Sequence, residues 1–307
     1  MSQFSSLRIA VLKGGPGSER AVSLAAGEAI AAALREAGAA EVVEVDVNGP
    51  GFELPGGDAA FGIAFNNIHG TYGEDGQLQR ELEERGVPYT GERVAGSELA
   101  FDKIATKERL VKAGIDTPAF QIVGAGEVPT MPLPYVIKAP REGSSVGIFI
   151  VRTPEEVAPA VEAAAKFGKQ LLVEEFVPGR ELTVSILGGQ ALPVIEIRPR
   201  HGFYDFANKY PFLDPEGKGA ADHFCPAPIG EELTAKVQEM ALEANKALGL
   251  GFYCRVDFLL RDDGRAVVLE VNTIPGMTTA SLLPEAAAAA GISFAQLCKR
   301  IVQLSLP

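Results

Sequence analysis

Two acidic strands that fold back on each other constrain this chain more than any other stretch. Residues 255–272 read Arg-Val-Asp-Phe-Leu-Leu-Arg-Asp-Asp-Gly-Arg-Ala-Val-Val-Leu-Glu-Val-Asn. This is the pattern of two apolar strands joined at Asp263-Gly264, a dipeptide that favours a two-residue hairpin turn. A turn at that place sets Asp257 opposite Glu270 and Arg255 opposite Asn272. Side chains alternate along a strand, so all four share one face of the hairpin. Directly opposed carboxylates repel, on the order of 0.2–1 kcal/mol, and a bare pair needs a reason. A hard divalent cation such as Mg²⁺ supplies one, since it takes oxygen ligands only. A solvated polar face is the plainer account of any single charged pair. Here Val256, Phe258, Val268 and Val271 suggest a packed sheet, which favours the metal.

A chain of 307 residues exceeds one typical core and divides into two or three domains. With 47% hydrophobic and 22% charged residues it has the composition of a soluble globular protein. No apolar run reaches membrane-span length, and the opening Met-Ser-Gln-Phe-Ser-Ser lacks a signal-peptide pattern. Cys225, Cys254 and Cys298 are scattered and without metal spacing, which points to a reducing cytoplasm. A net charge of −12 opposes binding to nucleic acid or an anionic membrane. An anionic small substrate is compatible with it if cations gather locally, and Lys103, Lys138, Lys209 and Arg255 all sit beside glycine-rich or acidic signatures.

Strand and helix alternate over the first ninety residues: strands near Leu7–Leu12, Val42–Val47 and Ala59–Asn66, helices over 21–37 and 76–85, and an extended Val87–Tyr89. That order gives an open parallel sheet with ligands at the carboxyl ends of its strands. One helix is expected over 97–114, then strands Tyr135–Lys138, Ile148–Val151 and Gln170–Glu175 around a helix from Pro154 to Phe167. A hairpin Glu181–Leu187/Ala191–Arg198, a long loop 201–228, helix Glu231–Leu248, the acidic hairpin and a helix from Ser293 follow. The expected units are 1–93 (open α/β), 94–178 (small central α+β) and 179–307 (C-terminal α+β).

Taken singly, each remaining candidate has a plain alternative. Gly143-Ser144-Ser145-Val146-Gly147 could be an ordinary turn, but Lys138 before it and the acidic hairpin after it favour a phosphate loop. Glu174-Glu175-Phe176-Val177 ends a strand and could present backbone groups to an adenine edge, or simply be solvated. Gly14-Gly15-Pro16-Gly17-Ser18-Glu19 reads equally as a functional turn or as a strand-to-helix turn capped by Ser18. It is not the glycine pattern of a dinucleotide site, which ranks an oxidoreductase last. His69-Gly70 has the same double status as the first turn. Lys209-Tyr210 sits in the long loop, where a lid is favoured.

Together, and in this order, the pieces resemble the D-alanine–D-alanine ligases within the wider ATP-grasp enzymes. The resemblance covers nearly the whole chain. Its motifs are Gly14-Gly15…Ser18-Glu19-Arg20…Val22-Ser23, His69-Gly70…Gly73-Glu74-Asp75-Gly76, Tyr89-Thr90-Gly91, Asp102-Lys103 and Arg141–Gly147. Phe203-Tyr204-Asp205…Lys209-Tyr210, Phe224-Cys225-Pro226-Ala227, Arg255-Val256-Asp257 and Glu270–Thr278…Ser281-Leu282 complete the set. It implies a three-domain ATP-grasp fold and an enzyme that joins two D-alanines through a D-alanyl phosphate, for peptidoglycan precursor synthesis. Another ATP-grasp carboxylate–amine ligase, or one forming a D-alanyl–D-lactate ester, is the alternative; Glu19, Tyr210 and Ser281 argue against both. A non-catalytic ATP-binding protein would be expected to lack Arg255 or a metal ligand, and none is missing.

By position the resemblance places ATP phosphates at Lys103, Lys138, Ser144, Ser145 and Lys209. Adenine falls at Glu174, Glu175, Phe176 and Val177, and ribose at Glu181. Two Mg²⁺ ions (or Mn²⁺ in their place) go to Asp257, Glu270 and Asn272. Glu19 and His69 would hold the first D-alanine, Ser281 and Leu282 the carboxylate of the second. Arg255 and Gly276 would stabilise the tetrahedral intermediate, and Glu19, Ser144 and Tyr210 would close the lid. The family also implies a homodimer. The chain departs from the family at Gly17, often a serine there, and in a longer segment over 211–223.

Overall fold

Among the described residues, short apolar runs punctuated by glycine turns sort into three separate sheets. The computed structural model describes residues 3–143, 146–200 and 221–306. In the first sheet β1 (Arg8–Gly14) lies between β2 (Glu41–Val47) and β3 (Ile63–Asn66), parallel to both, and Ala64 bridges Tyr89 in parallel beyond. Parallel neighbours need a long crossover, which α1 (Arg20–Glu36) provides. Its Val22, Ala26, Ile30 and Leu34 form one buried stripe. Ser18 does not cap this helix: Glu19 takes the cap position. α2 (Gln77–Glu84) follows β3.

The single helix expected over 97–114 is two, α3 (Val94–Phe101) and α4 (Lys103–Lys112). Asp102 leaves the helical region (ψ 103°) so that its carboxylate can accept from the N–H groups of Ile104 and Ala105. An aspartate competes with helix continuation by capping a new one. The second sheet is antiparallel: β4 (Phe120–Gly124), β5 (Tyr135–Lys138), β6 (Ile148–Val151) and β7 (Gln170–Glu175), in the order β4-β7-β5-β6. α5 (Pro154–Ala164) packs on it, opened by a Thr153/Glu156 capping box. Strand β4 was not expected from its short apolar run.

The third sheet holds β8 (Arg180–Leu187), β9 (Gln190–Ala191), β10 (Ile195–Pro199), β11 (Ala221–Phe224), β12 (Tyr253–Leu260) and β13 (Ala266–Asn272). Its order is β11-β10-β8-β12-β13, with β9 folded back on β8. One face is covered by α6 (Glu231–Leu248), whose Val237, Ala241 and Ala244 meet Leu182, Val184 and Phe258. The other face shares a core with α1 through α7 (Leu282–Ala289) and α8 (Phe294–Ser305). Edge strand β11 lay inside the expected loop 201–228 because every second residue is exposed and the run is only four long. No helix among the described residues is long and apolar enough to cross a membrane.

The acidic hairpin reaches the expected pairing by a different route. The turn is not the two-residue type: Gly264 N–H donates to Arg261 O, Arg261 and Arg265 pair, and Gly264 takes φ +83°. Residues 262–264 therefore form a three-residue loop ending in a left-handed glycine, which shifts the ladder by one residue. Phe258 lies opposite Val268 and Leu259 opposite Val267. A β-bulge at Leu269 then shifts it back, so that Asp257 faces Glu270 and Arg255 faces Asn272.

Strand β10 is pinned to β8 by Glu196, whose covered side chain takes a fork from Arg180 Nε and Nη2 at 2.6 and 2.7 Å. Arg198 adds a third bond at 2.7 Å. The Arg180 bonds, opposed by burial and aided by Arg198, push this carboxyl from 4.5 down to about 2. A depressed acid stabilises the folded state above its unfolded value and loses that contribution as pH falls. The stability gap between the wild type and Glu196→Gln, read from urea midpoints, is expected to be full near neutrality and to narrow from pH 4.5 downward. A gap independent of pH would refute this.

Candidate functional site

The second and third sheets face each other across a cleft of about 500 Å³, within the range of nucleotide-sized sites. Lys138, Glu174 and Val177 line it from the second sheet, Glu181, Asp257 and Glu270 from the third. Apolar walls come from Ile148 and Ile150 on β6 and from Leu259 and the bulge residue Leu269. Glu181 pairs with Leu259 across the β8–β12 ladder, and so shares the face of Asp257.

Each of the two opposed acids of the hairpin has a cation beside it. Arg255 forks Asp257 through Nε and Nη2, both at 2.8 Å, and Thr183 Oγ1 donates to the same carboxylate at 2.6 Å. Lys103 Nζ lies 3.4 Å from Glu270 Oε2 and donates to Glu142 O at 2.7 Å. Asn272 Oδ1 accepts from Ile274 N–H and so begins the turn that leads to Gly276. No group of three or more His, Cys, Asp or Glu side chains is placed to hold a metal among the described residues. The donor set is thus two carboxylates and an amide oxygen, which fits Mg²⁺, an ion that commonly takes one or two carboxylates and completes its shell with phosphates and water.

Glu174 is enclosed rather than open to a base. Lys138 Nζ is 2.7 Å from one of its oxygens and Lys107 Nζ 2.9 Å from the other. Burial alone would push this carboxyl up, but Lys138 and Lys107 outweigh it and hold it below the usual carboxylate range. Lys107 went unnoticed in the sequence, where a lysine on a polar helix reads as solvent-facing; it is fully covered. Glu175 instead binds Arg261 and the Ala119 N–H, tying β7 to the acidic hairpin. The Phe176 N–H donates to Pro134 O, and its ring stacks 5.3 Å from the Arg152 guanidinium.

The N-terminal turns converge on the same region. Ser23 Oγ accepts from Gly14 N–H and donates to Asn67 O, locking the turn after β1 to the turn after β3. Buried Glu19 projects beyond this lock: methyls added at Gly70 and Gly143 would stand 3.3 and 3.2 Å from its Oε2. The first turn, the His69 turn and the glycine–serine loop therefore meet at one carboxylate. His69 is buried, its Nδ1 3.1 Å from Ile274 O and 3.5 Å from Glu74 Oε1. Its Nε2 is buried without a partner among the described residues. Gly73 is required because an added methyl would collide with Ile68 O at 2.0 Å. On the C-terminal side Ser281 takes the cap position of α7, its hydroxyl bonded to Thr278 N–H at 3.0 Å and Thr278 Oγ1 at 2.7 Å rather than to the helix. Gly276 packs under Ser281 Oγ, and Leu282 opens α7, where backbone N–H groups face outward. Ser144, Ser145, Lys209 and Tyr210 lie outside the described residues.

A parallel sheet carrying acidic and imidazole groups, beside two antiparallel sheets that clasp a nucleotide-sized cleft, defines the ATP-grasp class. Residues 113–303 match the family model for the D-ala D-ala ligase C-terminus. A D-alanine–D-alanine ligase of Methylacidiphilum infernorum is 48% identical over 97% of this chain and 95% of its own length. That of Citrifermentans bemidjiense is 43% identical over 99% and 97%. The crystal structure of the Bacillus anthracis ligase complexed with ATP superposes with a TM-score of 0.84 at 34% identity, covering 98% of this chain and 97% of that one. The chain belongs to the D-alanine–D-alanine ligase family.

Burial lowers the affinity of His69 for a proton, but Glu74, Glu19 and the Ile274 carbonyl together raise its pKa above 6.5. In an NMR titration this imidazole is expected to titrate above the ordinary histidine value. Glu74→Gln is expected to lower it, because burial then meets weaker opposition. An unshifted resonance in the variant would refute the assignment of Glu74 as the main partner.

Proposed function

We propose that this chain joins two D-alanines with ATP, through a D-alanyl phosphate, supplying a peptidoglycan precursor. The reading rests on family membership and on one observation above all: the opposed Asp257 and Glu270 line a nucleotide-sized cleft, with Lys138 on the facing wall. A carboxylate is a poor electrophile because its leaving group would be oxide, whereas an acyl phosphate loses phosphate. Mg²⁺ would be held by Asp257, Glu270 and Asn272 and would offset the charge of the transferring phosphoryl group.

The protein's own groups divide the remaining work. Lys103 and Lys138, with Lys209 and the 144–145 loop, hold phosphates. The half-buried apolar walls at Leu269 and Ile150, with the 175–177 segment, receive the base, and Glu181 receives the ribose. Glu19 takes the ammonium of the first D-alanine, and the unpartnered Nε2 of His69 is suited to its carboxylate. Ser281 and the Leu282 N–H take the carboxylate of the second, at the positive end of α7. Arg255, fixed by its fork on Asp257, and the backbone at Gly276 face the oxyanion formed when the amine attacks. Ser144, Tyr210 and Glu19 close the site, keeping water from the acyl phosphate. Division into units 1–93, 94–178 and 179–307, a cytoplasmic location and a homodimer belong to the same proposal.

Phosphate release from ATP and Mg²⁺ is expected with D-alanine alone, yielding the D,D-dipeptide by mass. An ester product from added D-lactate, or release with L-alanine only, would overturn the substrate assignment. Arg255→Ala is expected to lower turnover about 10²–10³-fold while nucleotide binding persists. Near-normal turnover would remove Arg255 from the reaction.

A further inference from the structure

Helix α4 carries two lysines one turn apart. Lys103 reaches the acidic hairpin at Glu270, and Lys107 is turned into the protein. We propose that Lys107 is a positioning residue that sets both ends of the nucleotide cleft, acting through Glu174 on one side and through Thr117 on the other. The inference rests on the ATP and Mg²⁺ assignments of the proposed function and adds a residue that none of the motifs contains.

A fully covered ammonium is costly to bury, and an apolar side chain would fill the same space without that cost. Lys107 nonetheless has a partner on two sides, an ion pair with Glu174 and a hydrogen bond to Thr117. Its Nζ is 2.9 Å from Glu174 Oε1, whose other oxygen is 2.7 Å from Lys138 Nζ. Glu174 is thus shared by two cations, only one of which lines the cleft. Removing Lys107 would leave Glu174 to draw Lys138 inward or to turn away from it. Either movement displaces the one described ammonium that lines the cleft wall facing the acidic hairpin.

The second bond runs to the metal end. Lys107 Nζ donates to Thr117 Oγ1 at 2.6 Å, and that hydroxyl donates in turn to Val268 O at 2.7 Å. Val268 N–H donates to Asp116 O at 2.8 Å. Both backbone groups of Val268 are therefore held by residues 116–117. Val268 stands immediately before the bulge at Leu269, the irregularity that puts Glu270 opposite Asp257. The relay from Lys107 fixes the place where the ladder shifts, and so the spacing of the two proposed metal carboxylates. Glu174, Lys138 and Glu175 are the charged groups that act on this ammonium, and the Phe120 ring lies 5.8 Å from it.

Two substitutions test this on the full-length chain, with MgATP binding measured by calorimetry as the primary readout. Lys107→Met keeps length and removes the charge; Thr117→Val keeps shape and removes the relay hydroxyl. Lys107→Met is expected to weaken MgATP binding about 10–100-fold, the usual range for groups that orient ligands from behind. Thr117→Val is expected to weaken binding in Mg²⁺ while leaving binding in EDTA at its wild-type value. In both, KM for D-alanine is expected to stay unchanged, a split that a purely structural role would not produce. Wild-type MgATP affinity in both variants would overturn the proposal, as would a proportional loss of every parameter. Should Lys107→Met fail to fold, Thr117→Val decides alone. A wild type that binds MgATP without consuming D-alanine would refute the substrate reading and leave this inference standing.

Discussion

Two carboxylates held face to face on adjacent strands are the constraint to which the surrounding structure answers. Like charges on a closely spaced pair oppose the ladder that brings them together. The fold answers with cations from separate places: Arg255 beside Asp257 on the same strand, Lys103 beside Glu270 from helix α4. The second of these depends on tertiary structure, since α4 must dock before Lys103 can reach the hairpin. Asp102 makes that docking specific. By ending α3 and capping α4 it starts the new helix at Lys103, and its other oxygen takes Arg141 from the glycine–serine loop at 3.0 Å. One aspartate thus aligns the glycine–serine loop, the helix and the acidic strand.

The cleft follows from the same geometry. Bulges commonly sit where a strand must re-aim a side chain. Here Leu269 is turned into the cleft, and Glu270 regains the face of Asp257. The apolar wall and the acidic pair are two results of one extra residue.

Much of this was legible in the amino acids. The parallel first sheet, α1, α6 and most strands follow from period and from glycine punctuation. The Asp257–Glu270 pairing was correctly expected, although the expected turn was not the one formed. A three-residue loop and a bulge cancel, and short-range propensity has no means of showing a cancellation spread from residue 262 to residue 269. Helix α3 was merged with α4 because every residue from 97 to 112 tolerates a helix; the break comes from what the Asp102 side chain bonds. β4 and β11 are short edge strands, the first with one buried residue and the second with none, which weakens any periodic signal. Glu174 read as a solvated or base-contacting acid, and Lys107 was not considered, because a buried ion pair between distant elements has no local signature. The convergence of Glu19, Gly70 and Gly143 was accessible only through the family resemblance, since no spacing rule connects residues so far apart.

The hydrogen bond from His69 to Ile274 spans 205 residues of chain. The first sheet also shares its core with α8, whose Leu297, Ile301 and Val302 pack with Ile30 and Leu34 of α1. During synthesis the strands that carry the first two turns emerge early, yet His69 lacks its Ile274 partner and α1 has an uncovered flank until residues 274–302 arrive. The setting of His69 is therefore completed only by the last part of the chain. A growing chain contains every strand of its second sheet long before it can present His69 in its finished setting. The order of translation leaves the contact between the first sheet and residues 274–302 to the end.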